Sequence, residues 1–307
     1  MRLVLLAGYL ALASGVSAAV TTVDLTLHDQ ARNREIPLKV YVPQGPGPFP
    51  VIVFSHGAGG SKDGYAYLGS YWAEHGYISL HPTHLRSDHS LIKKHRPLLN
   101  YLALKKMVGA EKNFEDRPQD ITFILDHLPE VLVAVPALKG KLDATRIGVG
   151  GHSFGAYTSI AVAGAVVNLE GKDHKFGDLR PRAFLAISPQ GPGRAGFSED
   201  SWSAITRPVF IMTGTKDQGL DGSPWTQRRK AYEGLPAGGK VLAVLTDATH
   251  MDFAAGKGRH TEAVQALVQQ LSLAWWDLTL KGQASARERL LSGLPAANAA
   301  AVHIENK

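Results

Sequence analysis

Gly151-His152-Ser153-Phe154-Gly155 is the segment that most restricts how this chain folds. It stands between the short buried-type run 147–150 and the Ala-rich stretch 154–167. An apolar run followed at once by a helix start reads as a strand covered on both faces, then a helix. G-x-S-x-G at that junction predicts a strained strand-to-helix turn. Its glycines let the two backbones approach, and its serine hydroxyl is thrust out beyond the strand end. The helix N-terminus favours negative charge at the same spot. Ser153 is therefore the candidate nucleophile, against the plainer alternative of a turn with a capping serine.

The rest of the chain supplies a sheet for that turn. Residues 20–27 and 36–42 are alternating or β-branched runs joined by a polar turn at 31–35, which predicts an antiparallel edge pair. Residues 51–54, 77–80, 183–187, 209–212 and 241–245 are short apolar strand candidates. Helices are predicted at 70–75, 116–128, 154–167, 225–233 and 261–280. Apolar strands separated by helices require crossovers. The expected fold class is α/β: one domain over residues 19–307, with a mostly parallel eight-stranded sheet flanked by helices. Residues 82–115 break the rhythm after the fourth strand and are expected to form an insertion or cap. Eight Lys and Arg fall between Arg86 and Arg117. Within the insertion, Lys93-Lys94-His95-Arg96 and Lys105-Lys106 read as a solvated charged cap, or as one that meets anionic headgroups or acidic substrates. Residues 295–307 are expected to fray.

The N-terminus carries Arg2, an apolar stretch over 3–13, and small residues at Val16-Ser17-Ala18. That order predicts a cleavable signal peptide, residues 1–18, and hence a secreted or periplasmic protein. The rival is an uncleaved anchor, but the run falls short of the roughly 20 residues a span needs. No cysteine is present in the 307 residues. That excludes disulfides, a thiolate nucleophile and zinc–thiolate sites, and it is compatible with export. A net charge of +6 without a long basic block does not point to nucleic acid.

A nucleophilic serine needs a base, and the base needs an orienting acid. On strand–turn–helix sheets of this kind the order is serine, acid, histidine. His250 follows the strand candidate 241–245 in a loop and is the expected base. His260 begins a helix and His303 lies in the tail. Asp217 is the first carboxylate after strand 209–212, with Asp221 the second candidate; Asp247 and Asp252 read as structural. Two backbone N–H groups must hold the oxyanion. One is Phe154, after the serine. The other comes from Ser55-His56-Gly57-Ala58-Gly59-Gly60, where Ala58 is preferred and Gly59 the alternative. Gly59, Gln190 and Trp225 are candidate substrate contacts. His81, His84, Asp88 and His89 offer metal-ligand chemistry in a loop that reads better as solvated or substrate-lining. No metal or cofactor is expected. Trp275 and Trp276 read as packing within the closing helix.

These motifs, with Gly214-Thr215-Lys216-Asp217, Thr249-His250 and Ile187-Ser188-Pro189-Gln190-Gly191-Pro192, resemble the α/β-hydrolase superfamily. Within it the chain is similar, over about residues 36–282, to a branch holding dienelactone-hydrolase-like proteins, plasma-type platelet-activating-factor acetylhydrolases, chlorophyllases and bacterial polyester hydrolases. The resemblance implies an eight-stranded fold and ester hydrolysis. It implies Ser153, Asp217 and His250 as the triad, with Ala58 and Phe154 as oxyanion donors. Dienelactone hydrolases use a cysteine nucleophile, which this chain lacks. The expected partners are a small-molecule or lipid ester and, transiently, a membrane surface. A lipase, phospholipid acetylhydrolase or polyester hydrolase is the rival enzyme reading. A catalytically silent binding protein is the rival outside enzymes.

Overall fold

A computed structural model describes residues 20–92, 96–254, 259–292 and 301–307. The expected signal peptide, residues 1–18, lies outside them. The described residues begin with an antiparallel pair, β1 (Thr21–Asp29) and β2 (Arg34–Val42), followed by β3 (Phe49–Ser55), α1 (Ala66–Glu74) and β4 (Ile78–Pro82). Helices α2 (Pro97–Gly109), α3 (Glu111–Asp126) and α4 (Leu128–Ala134) lead to β5 (Leu142–His152) and α5 (Phe154–Ala163). A hairpin, β6 (Val166–Leu169) and β7 (Lys172–Lys175), precedes β8 (Pro181–Ile187), β9 (Val209–Lys216) and α6 (Thr226–Glu233). The chain closes with β10 (Lys240–Thr249), α7 (Arg259–Thr279), α8 (Ser285–Leu291) and β11 (Val302–Asn306).

The main sheet runs β1-β2-β4-β3-β5-β8-β9-β10-β11. Strands β4, β3, β5, β8, β9 and β10 are parallel, and antiparallel strands close both edges. Period-2 alternation assigns the two cores. Val51 and Val53 face the side covered by α3, α4 and α5; Ile52 and Phe54 face the side covered by α1 and α7. Trp275 and Trp276 are buried in the second core, as packing residues. From β3 the chain crosses to β4 on one side, then to β5 on the other. That reversal opens a crevice beyond the carboxyl ends of β3 and β5, where ligands of open α/β sheets bind.

Two expectations need correction. Among the described residues the sheet has nine strands, because residues 302–306 of the supposedly frayed tail pair with β10, and Lys307 exchanges backbone hydrogen bonds with Lys240; residues 295–300 of that call lie outside the described residues. The helix expected to reach 167 stops at Ala163. Gly164 turns left-handed (φ 113°), and Glu170 and Gly171, both at positive φ, turn the hairpin that follows. In the basic insertion Arg96, Lys105 and Lys106 are exposed, and residues 93–95 lie outside the described residues; beyond it, Arg117 is fully buried in α3.

A buried polar layer sits at the carboxyl ends of β3, β4 and β5. It contains His56, His81, His84 and His152. Burial pulls His81 down to about 3 and His84 to about 4, and it lowers His56 and His152 well below the ordinary value. Beside them, burial opposes ionisation of Asp120. Hydrogen bonds from His84 and Arg34 outweigh it and hold the carboxyl at about 2. The unfolded chain therefore binds histidine protons that the native state refuses. This penalty is absent above the ordinary histidine value of 6.5 and grows as pH falls toward 4. The Asp120 contribution is lost only below its ordinary value of 3.8. Unfolding at pH 5 is expected to take up about four protons, read from the pH dependence of the urea midpoint. His81→Gln should remove about one of them.

Candidate active site

Backbone contact creates the turn at Ser153. A Cβ on Gly155 would lie 1.9 Å from the Ser55 carbonyl oxygen, and one on Gly151 would lie 2.2 Å from the Gly155 carbonyl oxygen. Only glycine fits at either place, so β3, β5 and α5 meet main chain to main chain. Between them Ser153 adopts φ 57°, ψ −116°, a strained conformation for a residue with a side chain. Its N–H donates to the Ile187 carbonyl at 2.8 Å, and its side chain lines a cavity.

His250, at the end of β10, places Nε2 3.0 Å from Ser153 Oγ and Nδ1 2.8 Å from Asp217 Oδ1. An ionised carboxylate only accepts, so Nδ1 carries the proton and Nε2 is left as the acceptor for the serine hydroxyl. The other carboxylate oxygen accepts from Ser188 Oγ (2.6 Å) and Thr213 Oγ1 (2.9 Å). Arg228 of α6 sets Nε 2.8 Å from Oδ1. It also donates to the Ser188 and Gln218 carbonyls at 2.9 and 3.0 Å. Burial of Asp217 favours the neutral acid, but His250, Arg228 and Ser188 together hold it below the usual carboxylate range. Asp221, the second candidate, is exposed and pairs with Arg194 on the cavity rim. Asp247 pairs with Lys216, and Asp252 caps Thr249 and binds Thr261. Ser188, Thr213 and Arg228 were not foreseen. Ser188 follows a strand end, as Asp217 does, and that position was the one available signal.

The loop after β3 stands against the serine: a Cβ at Gly57 would come 3.4 Å from Ser153 Cβ. The Gly59 N–H is spent on the Ser87 carbonyl at 2.9 Å, which removes Gly59 as an oxyanion donor. Among the described residues, the N–H groups of Ala58 and Phe154 have no protein acceptor. Phe154 is the first residue of α5, where helix geometry leaves the N–H free.

The cavity beside Ser153 has a volume of about 250 Å³. Phe114, Pro189, Gln190, Ala195, Leu220 and, from α2, Val108 line it. Gln190 thus lines the cavity, and its Oε1 has no hydrogen-bond partner among the described residues. Gly59 and Trp225 do not line the cavity. Gly59 faces Ile92 and Leu104, and Trp225 packs against the core at the start of α6. The loop around His81 and His84, expected to be solvated or substrate-lining, is buried instead and does not line the cavity. His81 Nε2 is bonded to Ser79 Oγ, while His84 is bonded to Asp120 and Ser55. His89 alone of that group is exposed. No cluster of three or more His, Asp or Glu suited to a metal ion occurs among the described residues.

The comparisons with known proteins agree with this architecture. The chlorophyllase family model matches residues 12–192, more than half of the chain. The platelet-activating factor acetylhydrolase of Cavia porcellus is 24% identical over 236 residues, covering 68% of this chain and 50% of that protein. The chain thus spans about half the length of this curated relative. With an α/β-hydrolase fold and that family match, the chain belongs to the chlorophyllase family.

Proposed function

We propose that the protein is a serine hydrolase of carboxylic esters. The observation that carries this reading is the imidazole of His250, bonded on one side to Ser153 and on the other to Asp217. His250 Nε2 takes the Ser153 proton as Oγ attacks the acyl carbonyl. The Ala58 and Phe154 N–H groups hold the oxyanion. Collapse breaks the ester C–O bond, and the leaving alkoxide takes the proton from His250. Water, deprotonated by the same histidine, then releases the acid from Ser153. A relative named as an acetylhydrolase supports the same class. This reading takes the chain as exported, with residues 1–18 removed, on its sequence alone.

A fluorophosphonate probe tests the nucleophile. Wild type should be labelled on Ser153 and Ser153→Ala should not. Asp217→Asn should lower kcat by about 10⁴-fold, with Asp221→Asn close to wild type. A folded wild type that takes no label would overturn the reading.

One feature favours lipid esters among the substrates. Helix α2 exposes Leu98 (70%) and Leu102 (53%), with Leu99 and Tyr101 beside them. Arg96, Lys105 and Lys106 are exposed on the same segment, and Lys105 and Val108 reach the cavity. Apolar side chains ringed by cations suit an anionic lipid surface. Wild type should sediment with phosphatidylglycerol-containing vesicles. Leu98→Glu with Leu102→Glu should weaken that binding by at least about tenfold and leave hydrolysis of a soluble acetate ester intact. Equal sedimentation of the two proteins would argue for soluble esters instead.

A further inference from the structure

Arg117 is fully buried, yet no carboxylate lies within ion-pairing distance of its guanidinium among the described residues. Buried charges are ordinarily paired, because an unpaired one costs several kcal/mol. Neutral acceptors satisfy this one: Ser87 Oγ at 3.0 Å, Ser55 Oγ at 3.3 Å, and the carbonyls of His56 and Gly57 at 2.7 and 3.4 Å. The guanidinium also lies 4.2 Å from the ring centroid of Phe154. It therefore touches both the loop that carries Ala58 and the residue that begins α5.

We infer that Arg117 is a positioning residue for the oxyanion site of the ester hydrolysis proposed above, on which this assignment rests. The Gly57–Ala58 peptide is trans, so its C=O and N–H point in opposite directions. Three donors fix the Gly57 carbonyl: His56 Nδ1 at 2.6 Å, the Gly60 N–H at 3.1 Å and Arg117. His56 is fixed as that donor because its Nε2 accepts the His84 N–H at 3.0 Å. With the carbonyl held toward Arg117, the Ala58 N–H is turned away from the clamp and left free for the substrate oxygen. Arg117 is itself held firmly in α3. Pro118 supplies no N–H to the Phe114 carbonyl, and Tyr157 Oη donates to that oxygen instead at 2.9 Å. A fixed cation in a dry site also favours the charge that develops on the acyl oxygen.

Arg117→Lys keeps a charge but loses the fork that spans two carbonyls; Arg117→Gln loses both. The readouts are p-nitrophenyl acetate kinetics and the affinities of two ketones of equal chain length. A trifluoromethyl ketone adds to Ser153 to give a tetrahedral anion, whereas a methyl ketone binds as a carbonyl. Thermal unfolding identifies the folded variants. Lys should lower kcat by about tenfold and Gln by about a hundredfold, with KM within about threefold of wild type. Trifluoromethyl ketone affinity should fall in step with kcat/KM while methyl ketone affinity holds. Should Arg117→Gln not fold, Arg117→Lys and Ser87→Ala decide by the same criterion. Folded variants with wild-type kcat, or equal weakening of both ketones, would overturn the assignment while leaving the esterase reading intact. A wild type that neither hydrolyses the ester nor binds the trifluoromethyl ketone would sink both.

Discussion

Main chain touches main chain where Gly155 meets the Ser55 carbonyl, and the geometry of the crevice follows from that contact. With any side chain at Gly151 or Gly155, α5 would have to withdraw from β3 and β5. The turn at Ser153 would then relax, and the loop 56–60 would no longer stand beside it. The strained backbone of Ser153 is held by the packing around it: its N–H bonds to β8, and α5 is buried along its whole length. The strain thus belongs to the sheet, in which β3, β5 and β8 are consecutive neighbours.

Around this contact the protein buries two guanidinium groups for different ends. Arg228 has a carboxylate partner, and that ion pair with the hydrogen bonds from Ser188, Thr213 and His250 favours the ionised form of Asp217. Asp217 is thereby suited to orient the imidazole and to balance its charge. Arg228 also spans the carbonyls of Ser188 and Gln218, so it joins the loops after β8 and β9. Arg117 has no such partner and bonds to carbonyls behind the loop after β3. The nearest carboxylate in its network, Asp120, is reached only through Ser55 and His84, and already pairs with Arg32 and Arg34. Each arginine thus fixes main-chain segments on one side of the serine, where a lysine would offer a single point of charge.

Much of this was legible in the chain because glycine spacing and apolar runs carry steric information. G-x-S-x-G fixes a backbone contact, and the runs 51–54 and 147–150 had to be buried strands. His250 and Asp217 could be named from their order and their distance from strand ends. The buried polar layer was not legible. Arg117 lies in a charged segment from which Asp116 and Asp120 also turn inward, and nothing local says that the arginine would join them. Arg228 sits in the polar helix Thr226–Glu233, and its partners, the Asp217 carboxylate and carbonyls of two loops, one of them forty residues away, come from outside the helix. β11 was missed because its alternation, Val302-His303-Ile304-Glu305, is only one short run at the end of an Ala-rich stretch. Its pairing comes from the open edge of β10, which is a tertiary opportunity.

Helix α2 breaks the usual economy of a surface helix. Such a helix buries one apolar stripe and turns polar residues outward. Here Met107 is buried and Val108 reaches the cavity, yet leucines also occupy the outer side. Leaving a leucine in water forgoes about 1.5–3 kcal/mol of burial. Nothing within the described residues recovers that for Leu98 and Leu102. Fold stability therefore does not explain them, whereas the anionic lipid surface proposed above would cover them. The same helix forms part of the cavity wall, so a surface seated on its outer leucines would lie beside the mouth of the cavity. On this reading the insertion is both wall and contact, and its exposed cations set the charge of the surface it meets.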